Sequence, residues 1–354
     1  MKDLKWVIFV VVGVMLMVTP LLGESAPPTP KKVELNVYCG PLVYSSHVLS
    51  VGLSEIVKKY SKRIIINPVE TKSNTQSFVE WKSLPAEKQK YAMGVVYPLT
   101  VYKARDGHPP FMEPWDNPRL LALVGHMGSP LWTLDPKIKS GFDLVGKRIS
   151  FFPRGSDALW ATVRIAKHAW GLTEDKYRSR PLGGGATIDA LLDGTIDAGW
   201  GGSVEKGLTG GWEDWLPNPA SERLLSSAKT YVIDIPREGF IKAAEETGYP
   251  IDMMYIRHEA AKFGKSEIPR FASVNCANSW WVSKDLPDDV VAELLTIMYE
   301  HANEFVNYHA SGAHITKANL STTGARKEDY HPAAIKFFEG KGNKFYVDLF
   351  PREK

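Results

Sequence analysis

The sequence predicts an α/β fold with two lobes and a cleft between them. Residues 33–96 alternate strand-like and helix-like segments, and residues 148–200 repeat the pattern. Strands that alternate with helices build open α/β sheets. A chain of 354 residues is long enough for two domains of ordinary size. Two cycles in one such chain therefore predict two sheets, with a cleft at their boundary.

The first cycle follows from its apolar pattern. Residues 33–37 alternate apolar and polar side chains, as a half-buried strand does, and residues 63–69 and 90–96 are further strand-like runs. Ser45 and Ser46 can cap a helix whose apolar residues share one face. The order is therefore β-α-β-(α)-β. Further strands are expected at residues 120–124 and 131–134.

The second cycle begins with a strand at residues 148–152 and a helix at residues 158–170. Residues 188–199 then contain a short helix, a stop at Gly194 and a buried strand. Later in the chain, residues 273–282 are expected to cross back as a strand, and residues 287–308 to form one long amphipathic helix.

These segments predict a division of the chain into lobes. We expect residues 27–125 and 235–354 to form lobe I, and residues 126–234 to form lobe II. Because the chain crosses between the lobes more than once, lobe I is discontinuous in sequence.

The N-terminus has the form of a secretory signal. Two lysines precede an apolar run, and small residues follow it near residue 26. Residues 1–26 are therefore expected to be a cleaved signal peptide, which predicts a periplasmic protein. A retained membrane anchor is the alternative, since the run approaches spanning length.

Charge and cysteine content narrow the choice of partner and compartment. The formal net charge of +3 is spread along the chain without a basic run, which argues against nucleic acid as a partner. The two cysteines, Cys39 and Cys276, lie on strand-like segments. If the protein is exported, the oxidising compartment can join them in a disulfide. That they are two buried, unbonded thiols is an equally supported alternative.

Several segments resemble one family of receptors. The chain is similar to the TAXI-type solute receptors of TRAP transporters, which are periplasmic binding proteins. The segments that carry the resemblance, in chain order, are DLVGKRI (143–149), RGS (154–156), ALLDGTIDA (190–198), WVSKDLPDDVV (281–291) and YHPAAIKFF (330–338).

The resemblance implies both a fold and a function. It implies a type II-like periplasmic-binding-protein fold whose lobes close over a small organic acid, either a carboxylate or an amino acid. It also implies delivery of that ligand to the membrane permease subunits of a TRAP transporter. A receptor for an ATP-driven (ABC-type) importer is the alternative, as is a sensor or enzyme with the same bilobal fold.

The loop at residues 154–156 is the strongest candidate site. It follows a strand and opens a helix, where free N–H groups and the helix dipole attract anions. Arg154 can bind a carboxylate through two hydrogen bonds, with Gly155 and Ser156 beside it. In the alternative interpretation, Arg154 points to solvent and Ser156 is only the helix cap.

Further candidates occupy loops that follow predicted strands, and in this family the first-lobe loops meet the ligand. Each has a structural alternative, such as a cap, a turn or a core position. The candidate residues are Tyr44, Ser45, Thr71, Ser73, Asn74, Thr75, Tyr97, Gly184, Gly185, Ala186, Trp200 and Gly201.

The sequence gives no sign of catalysis. Residues 141–147 have P-loop spacing, but Arg148 stands where a magnesium-binding hydroxyl belongs and a strand follows. The histidines are too irregular for a metal set, and no nucleophile motif is present. We therefore expect a non-enzymatic protein without cofactor or metal.

Overall fold

The computed structural model describes residues 31–42, 44–201, 203–206, 212–256, 266, 268 and 271–345. The predicted signal segment, residues 1–26, and the proline-rich residues 27–30 lie outside the described residues. Residues 32–354 form one unit by their internal contacts, and both sheets belong to it.

The strands form two sheets. In chain order they are β1 (Val33–Cys39), β2 (Ile64–Glu70), β3 (Ala92–Val96), β4 (Pro118–Ser129), β5 (Leu131–Thr133), β6 (Arg148–Ser150), β7 (Arg178–Ser179), β8 (Ala198–Trp200), β9 (Ser203–Lys206), β10 (Trp212–Leu216), β11 (Tyr231–Val232), β12 (Met253–Ile256) and β13 (Phe271–Ser283).

Helices connect the strands and cover the sheets. In chain order they are α1 (Ser45–Tyr60), α2 (Asn74–Lys82), α3 (Ala86–Gln89), α4 (Pro98–Arg105), α5 (Asp157–Trp170), α6 (Gly184–Leu192), α7 (Pro219–Ser227), α8 (Arg237–Thr247), α9 (Asp288–Glu300) and α10 (Pro332–Gly340).

The larger sheet has eight strands in the order β12-β10-β9-β4-β13-β3-β1-β2. Strand β1 runs parallel to both β2 and β3, whereas β13 is antiparallel to β3 and β4. The parallel part places the carboxyl ends of β1, β2 and β3 at one edge. The loops that follow these strands therefore converge there, as is usual for ligand sites in open α/β sheets.

The smaller sheet has five strands in the order β11-β5-β8-β6-β7. Strands β8, β6 and β7 run parallel, whereas β5 is antiparallel to β8. Helix α5 follows β6 and packs against α8. The end of β6 thus leads directly into the loop at residues 151–156 and the start of α5.

The buried apolar residues of the described chain form three clusters. In the first, aliphatic residues of β1 and β3 pack with Trp280 and Trp281 of β13 under α1 and α9. The second contains Phe151 and Trp200 beside the smaller sheet together with residues of β13, so it joins the two sheets. The predicted α/β class with two sheet bodies is confirmed.

The predicted lobe limits stay a prediction, and the structure adds one complication. All strands of the smaller sheet fall within the expected lobe II, residues 126–234. However, β9 and β10 also fall within that range, and they pair with β4 and β12 of the larger sheet.

The prediction of one helix over residues 287–308 is wrong beyond Glu300. Helix α9 ends at Glu300 with His301 as its C-cap, and residues 302–307 form a 3-10 helix. The His301 ring stacks on Tyr60 with a centroid separation of 3.5 Å, and its Nδ1 lies 3.0 Å from the Glu304 carboxylate. These side-chain contacts accompany the break, which the apolar pattern alone did not reveal.

The cysteines are free thiols, both buried. Of the two alternatives from the sequence, the structure has the unbonded one. Among the described residues, no helix combines the length and apolar character that crossing a membrane requires.

Candidate functional site

A cavity lies where elements of the two sheet bodies meet. It contains about 410 Å³ of empty space, part of it open to solvent. The walls come from the start of α4, the start of α5, the segment before β12, and β13. The lining residues are Tyr97, Pro98, Leu99, Asp157, Ala158, Ala161, Pro250, Ile251, Asp252, Val274, Asn275, Cys276 and Ala277.

Asp157 is the most heavily bonded polar group of this cavity. Its Oδ1 accepts from the Lys103 ammonium at 2.6 Å, and its Oδ2 accepts from the hydroxyls of Thr100 and, at 3.2 Å, Thr75. The residue is 1% exposed and Lys103 is 4% exposed. A charge buried this deeply needs such partners, because removal from water is costly.

Local sequence explains why Asp157 stands at this place. The Ser156 hydroxyl accepts from the Leu159 N–H at 3.1 Å and so caps α5. Gly155 before it has φ +80°, a conformation that favours glycine. Asp157 therefore occupies the first turn of α5, where the helix dipole stabilises a negative charge.

Asp252 is the second carboxyl group of the cavity, and its surroundings differ. It is 8% exposed, and within the described part of the chain no side chain hydrogen-bonds or ion-pairs with its carboxyl group. Its backbone carbonyl accepts from the Asn275 N–H at 3.0 Å, which fixes the residue against β13. Burial raises the pKa of Asp252 to about 7.

Cys276 and Tyr97 complete the polar lining. Burial raises the pKa of the Cys276 thiol to about 12, and the negative charges of Asp252 and Asp157 add to this. Burial likewise holds the pKa of Tyr97 well above its ordinary value. Both groups therefore stay protonated at neutral pH and can act as hydrogen-bond donors.

Asn74, at the start of α2, connects the segments that follow β1 and β2. Its Oδ1 accepts from the Gly40 N–H at 3.1 Å and from the Ser46 hydroxyl, and its Nδ2 donates to Asn278. A Cβ atom at Gly40 would lie 2.4 Å from the Asn74 oxygen, so this approach requires glycine. The Asn74 side chain also lies near Tyr97, where it slightly offsets the rise in the Tyr97 pKa, so two predicted site residues are brought together.

The other predicted first-lobe residues have mixed positions. Thr75 reaches Asp157, as described above. Thr71 is buried and bonds Cys39 O, Ser73 O and the Ser77 hydroxyl, whereas Ser73 caps α2 by accepting from the Gln76 N–H. Thr71 and Ser73 therefore have structural roles, which the sequence analysis gave as the alternative interpretation.

Tyr44 and Ser45 lie apart from the cavity lining. Tyr44 is 47% exposed at the start of α1. Ser45 lines a second, smaller cavity of about 240 Å³ beside His126, Asn278 and His314.

The three residues of the predicted site loop, 154–156, have different roles in the structure. Arg154 and Gly155 are exposed, and no hydrogen bond or ion pair of the Arg154 guanidinium occurs among the described residues. Ser156 caps α5, as the structural alternative proposed. The loop begins the same helix that carries Asp157 into the cavity.

The remaining candidates belong to the smaller sheet. Gly184, Gly185 and Ala186 form the first turn of α6, and the last two are exposed. Trp200 is fully buried in the second core, 4.8 Å from the Phe151 ring centroid. The Gly201 N–H bonds Pro130 O at 3.0 Å. None of these residues lines the first cavity.

Sequence reasoning missed most of the polar groups around this cavity. The predicted site residues do not include Asp157, Thr100, Lys103, Asp252, Asn275 or Cys276. No helix was predicted after the strand at residues 90–96, so Lys103 had no place in the predicted site. No local pattern marks Asp252, since its position depends on packing between distant segments.

The described residues form no group of three or more acidic, histidine or cysteine side chains that could hold a metal. One cysteine–histidine contact exists, with Cys39 Sγ 3.4 Å from His47 Nδ1. Burial raises the pKa of that thiol to about 12, and His47 Nδ1 lies 2.8 Å from Gly40 O. The pair therefore does not supply the thiolate that nucleophilic catalysis requires.

Comparison with known proteins places these features in context. The sequence model of the NMT1-like family matches residues 47–342. The chain is also similar to the aliphatic sulphonate binding protein SsuA from Escherichia coli, with 11% identity, 89% of this chain and 81% of that chain covered, and a TM-score of 0.47. MatC from Rhodopseudomonas palustris gives 14% identity, 88% and 96% coverage, and a TM-score of 0.46.

Proposed function

The chain belongs to the NMT1-like family, and we propose that it is an extracytoplasmic receptor that binds a small organic solute without altering it. The observation that carries this proposal is the cavity between the sheet bodies, whose polar walls come from both sides. Small-molecule sites concentrate at such boundaries. The two cysteines of the described chain are buried thiols, which fits a binding role rather than covalent catalysis.

The contacts of Asp157 support closure as the working mechanism. Helix α5 follows a strand of the smaller sheet, whereas Thr75, Thr100 and Lys103 lie on α2 and α4 beside the larger sheet. These bonds hold the two bodies together across the cavity. A solute that adds contacts to both bodies would shift the population further toward this closed form.

For the solute, the proposal is a small organic acid, either a carboxylate or an amino acid. Arg154 supports this choice, because its exposed guanidinium precedes α5 and has no partner among the described residues. Such a group forms strong paired hydrogen bonds with a carboxylate.

The proposed partner is a TRAP-type membrane permease, to which the closed receptor delivers its solute after export to the periplasm. This step follows from the resemblance of the sequence segments described first. We expect a gene for a large multi-span permease beside the gene for this chain. A neighbouring ATPase gene instead would favour the ABC-type alternative.

A thermal-shift screen tests the receptor role. Purified protein is heated with carboxylates, amino acids and amines, each at high concentration. A ligand at 100 times its dissociation constant stabilises the folded state by about 2.7 kcal/mol and raises the Tm accordingly.

A matched pair of variants localises the site in the same screen. Thr75→Val removes a hydroxyl from the Asp157 cluster, whereas Thr296→Val changes an exposed threonine that bonds only to its own helix. The ligand-induced shift should fall in the first variant and stay in the second. A chain that no small solute stabilises, or that converts a solute chemically, would overturn the proposal.

A further inference from the structure

Asp252 carries a carboxyl group that lines the cavity at 8% exposure, and the described side chains offer it no hydrogen bond or ion pair. Polar groups buried this deeply in native proteins are almost always paired with protein or with ordered water, so the partner of Asp252 has to come from the cavity. A ligand group is one such partner, because the cavity is the space that Asp252 faces.

The contrast with Asp157 identifies what is missing. Asp157 already has Lys103, Thr100 and Thr75, and these donors balance its charge. No described residue in the lining of the cavity is basic, so the described part of the chain gives Asp252 no positive charge. Among the described lining residues, Asp252 is therefore the acidic group that has no positively charged partner.

We infer that the solute bound in this cavity carries a protonated nitrogen, which ion-pairs with the Asp252 carboxylate. The inference rests on the proposed receptor function and narrows its ligand class. A plain carboxylate without a cationic nitrogen would leave Asp252 unpaired and would add a second negative charge beside it.

The groups around Asp252 let it titrate alone near neutral pH. Cys276 of β13 and Tyr97 at the start of α4 keep their protons, since burial raises both pKa values. Asp157 of α5 is ion-paired with Lys103 of α4. The pKa of Asp252 itself is about 7 in the free protein, so its charge changes around neutral pH.

The pH dependence of affinity follows from this titration. A cationic ligand binds the ionised form of Asp252, which is a minor species at about pH 6 and the major one at about pH 8. Affinity for a cation should therefore rise about tenfold between these values. An alkylammonium ion keeps its proton over this range, because its pKa resembles that of lysine, about 10.4.

The experiment uses two small molecules of equal length and opposite charge, propylamine and butyrate. Binding of each to the full chain is measured by NMR titration at both pH values. The protein variants are Asp252→Asn, which removes the charge and keeps the shape, and Asp285→Asn, which removes an exposed carboxylate near the same sheet.

We expect propylammonium to bind about tenfold more tightly at the higher pH. In Asp252→Asn the affinity for propylammonium should no longer change with pH, and at the higher pH it should be at least about tenfold lower than in the parent chain. Asp285→Asn should match the parent chain. Butyrate should bind more weakly than propylammonium at the higher pH.

Two results would overturn the inference. The first is tighter binding of butyrate than of propylammonium at the higher pH. The second is an affinity of Asp252→Asn for propylammonium that depends on pH as strongly as that of the parent chain. In both cases the receptor proposal survives, because a solute still binds. A failure of the receptor proposal has a different signature, in which neither small molecule binds and no member of the solute screen raises the Tm.

Discussion

Two carboxyl groups share one cavity, and their surroundings differ. Asp157 has an ammonium group and two hydroxyls as partners, whereas Asp252 has none among the described residues. Both are at least nine-tenths buried. Asp157 thus contributes to holding the two sheet bodies together, and Asp252 is left free for a ligand. Depth of burial alone therefore does not distinguish a structural carboxylate from a binding one.

The largest effect is expected when Asp157 loses its cation. Lys103→Met leaves a buried charge unpaired and should lower the free energy of unfolding by about 3–5 kcal/mol. Urea unfolding at neutral pH measures this.

The control for this prediction is Lys317→Met, which breaks an exposed ion pair with Glu300. That change should cost less than about 1 kcal/mol. Equal effects of the two substitutions would remove the claim that the Asp157 ion pair matters more than a surface pair.

Asp252 should respond in the opposite direction. Its pKa is raised from 3.8 to about 7 in the folded chain, so the folded state binds more protons than the unfolded state between these values. Stability from this group is therefore lost as the pH rises through that window. Asp252→Asn removes the penalty and should stabilise the chain by up to about 4 kcal/mol above the window, and hardly at all below it.

Urea unfolding of the parent and Asp252→Asn chains at acidic and mildly alkaline pH checks this prediction. Asp285→Asn again serves as the exposed control. A gain in stability that does not change with pH would mean that the Asp252 carboxyl is not the destabilising group.

Arg154 extends the comparison to the exposed loop before α5. For a solute with a carboxylate, Arg154→Ala should weaken binding tenfold or more, because charged hydrogen bonds contribute about 1.5–3 kcal/mol. Calorimetric titration measures the affinity. Stability should stay nearly constant, because the side chain is exposed. An unchanged dissociation constant would take Arg154 out of the site.

The smallest effect is expected at Thr75. Thr75→Val removes one hydroxyl, 3.2 Å from Asp157, and should lower the free energy of unfolding by about 1 kcal/mol. Thr296→Val is the control in urea unfolding. A loss as large as that of Lys103→Met would mean that the hydroxyls, rather than the ammonium, stabilise Asp157.

Much of the fold could be predicted from local patterns. The helix that begins beside Ser156 was expected to reach residue 170 and does so, since a cap and an apolar face specify it. The break after Glu300 was missed, because it coincides with the stacking of His301 on Tyr60, which is far away in the chain.

The candidate site was predicted less completely. Tyr97, Asn74 and Thr75 were expected near a ligand, and the structure brings them together at the edge where parallel strands end. Trp200 was expected at the cleft wall and lies in the core, because an apolar residue at a strand end can face either way.

The sequence by itself determined the strands, the capped helices, the division into two α/β cycles and the loops that converge at the strand ends. These features depend on residues close together in the chain. Only the tertiary structure decided which carboxylate is paired. Lys103 and Asp157 are 54 positions apart, and Asp252 lies against β13, where its backbone carbonyl accepts from the Asn275 N–H. Pairing and desolvation depend on distances in space, and the order of residues does not contain those distances.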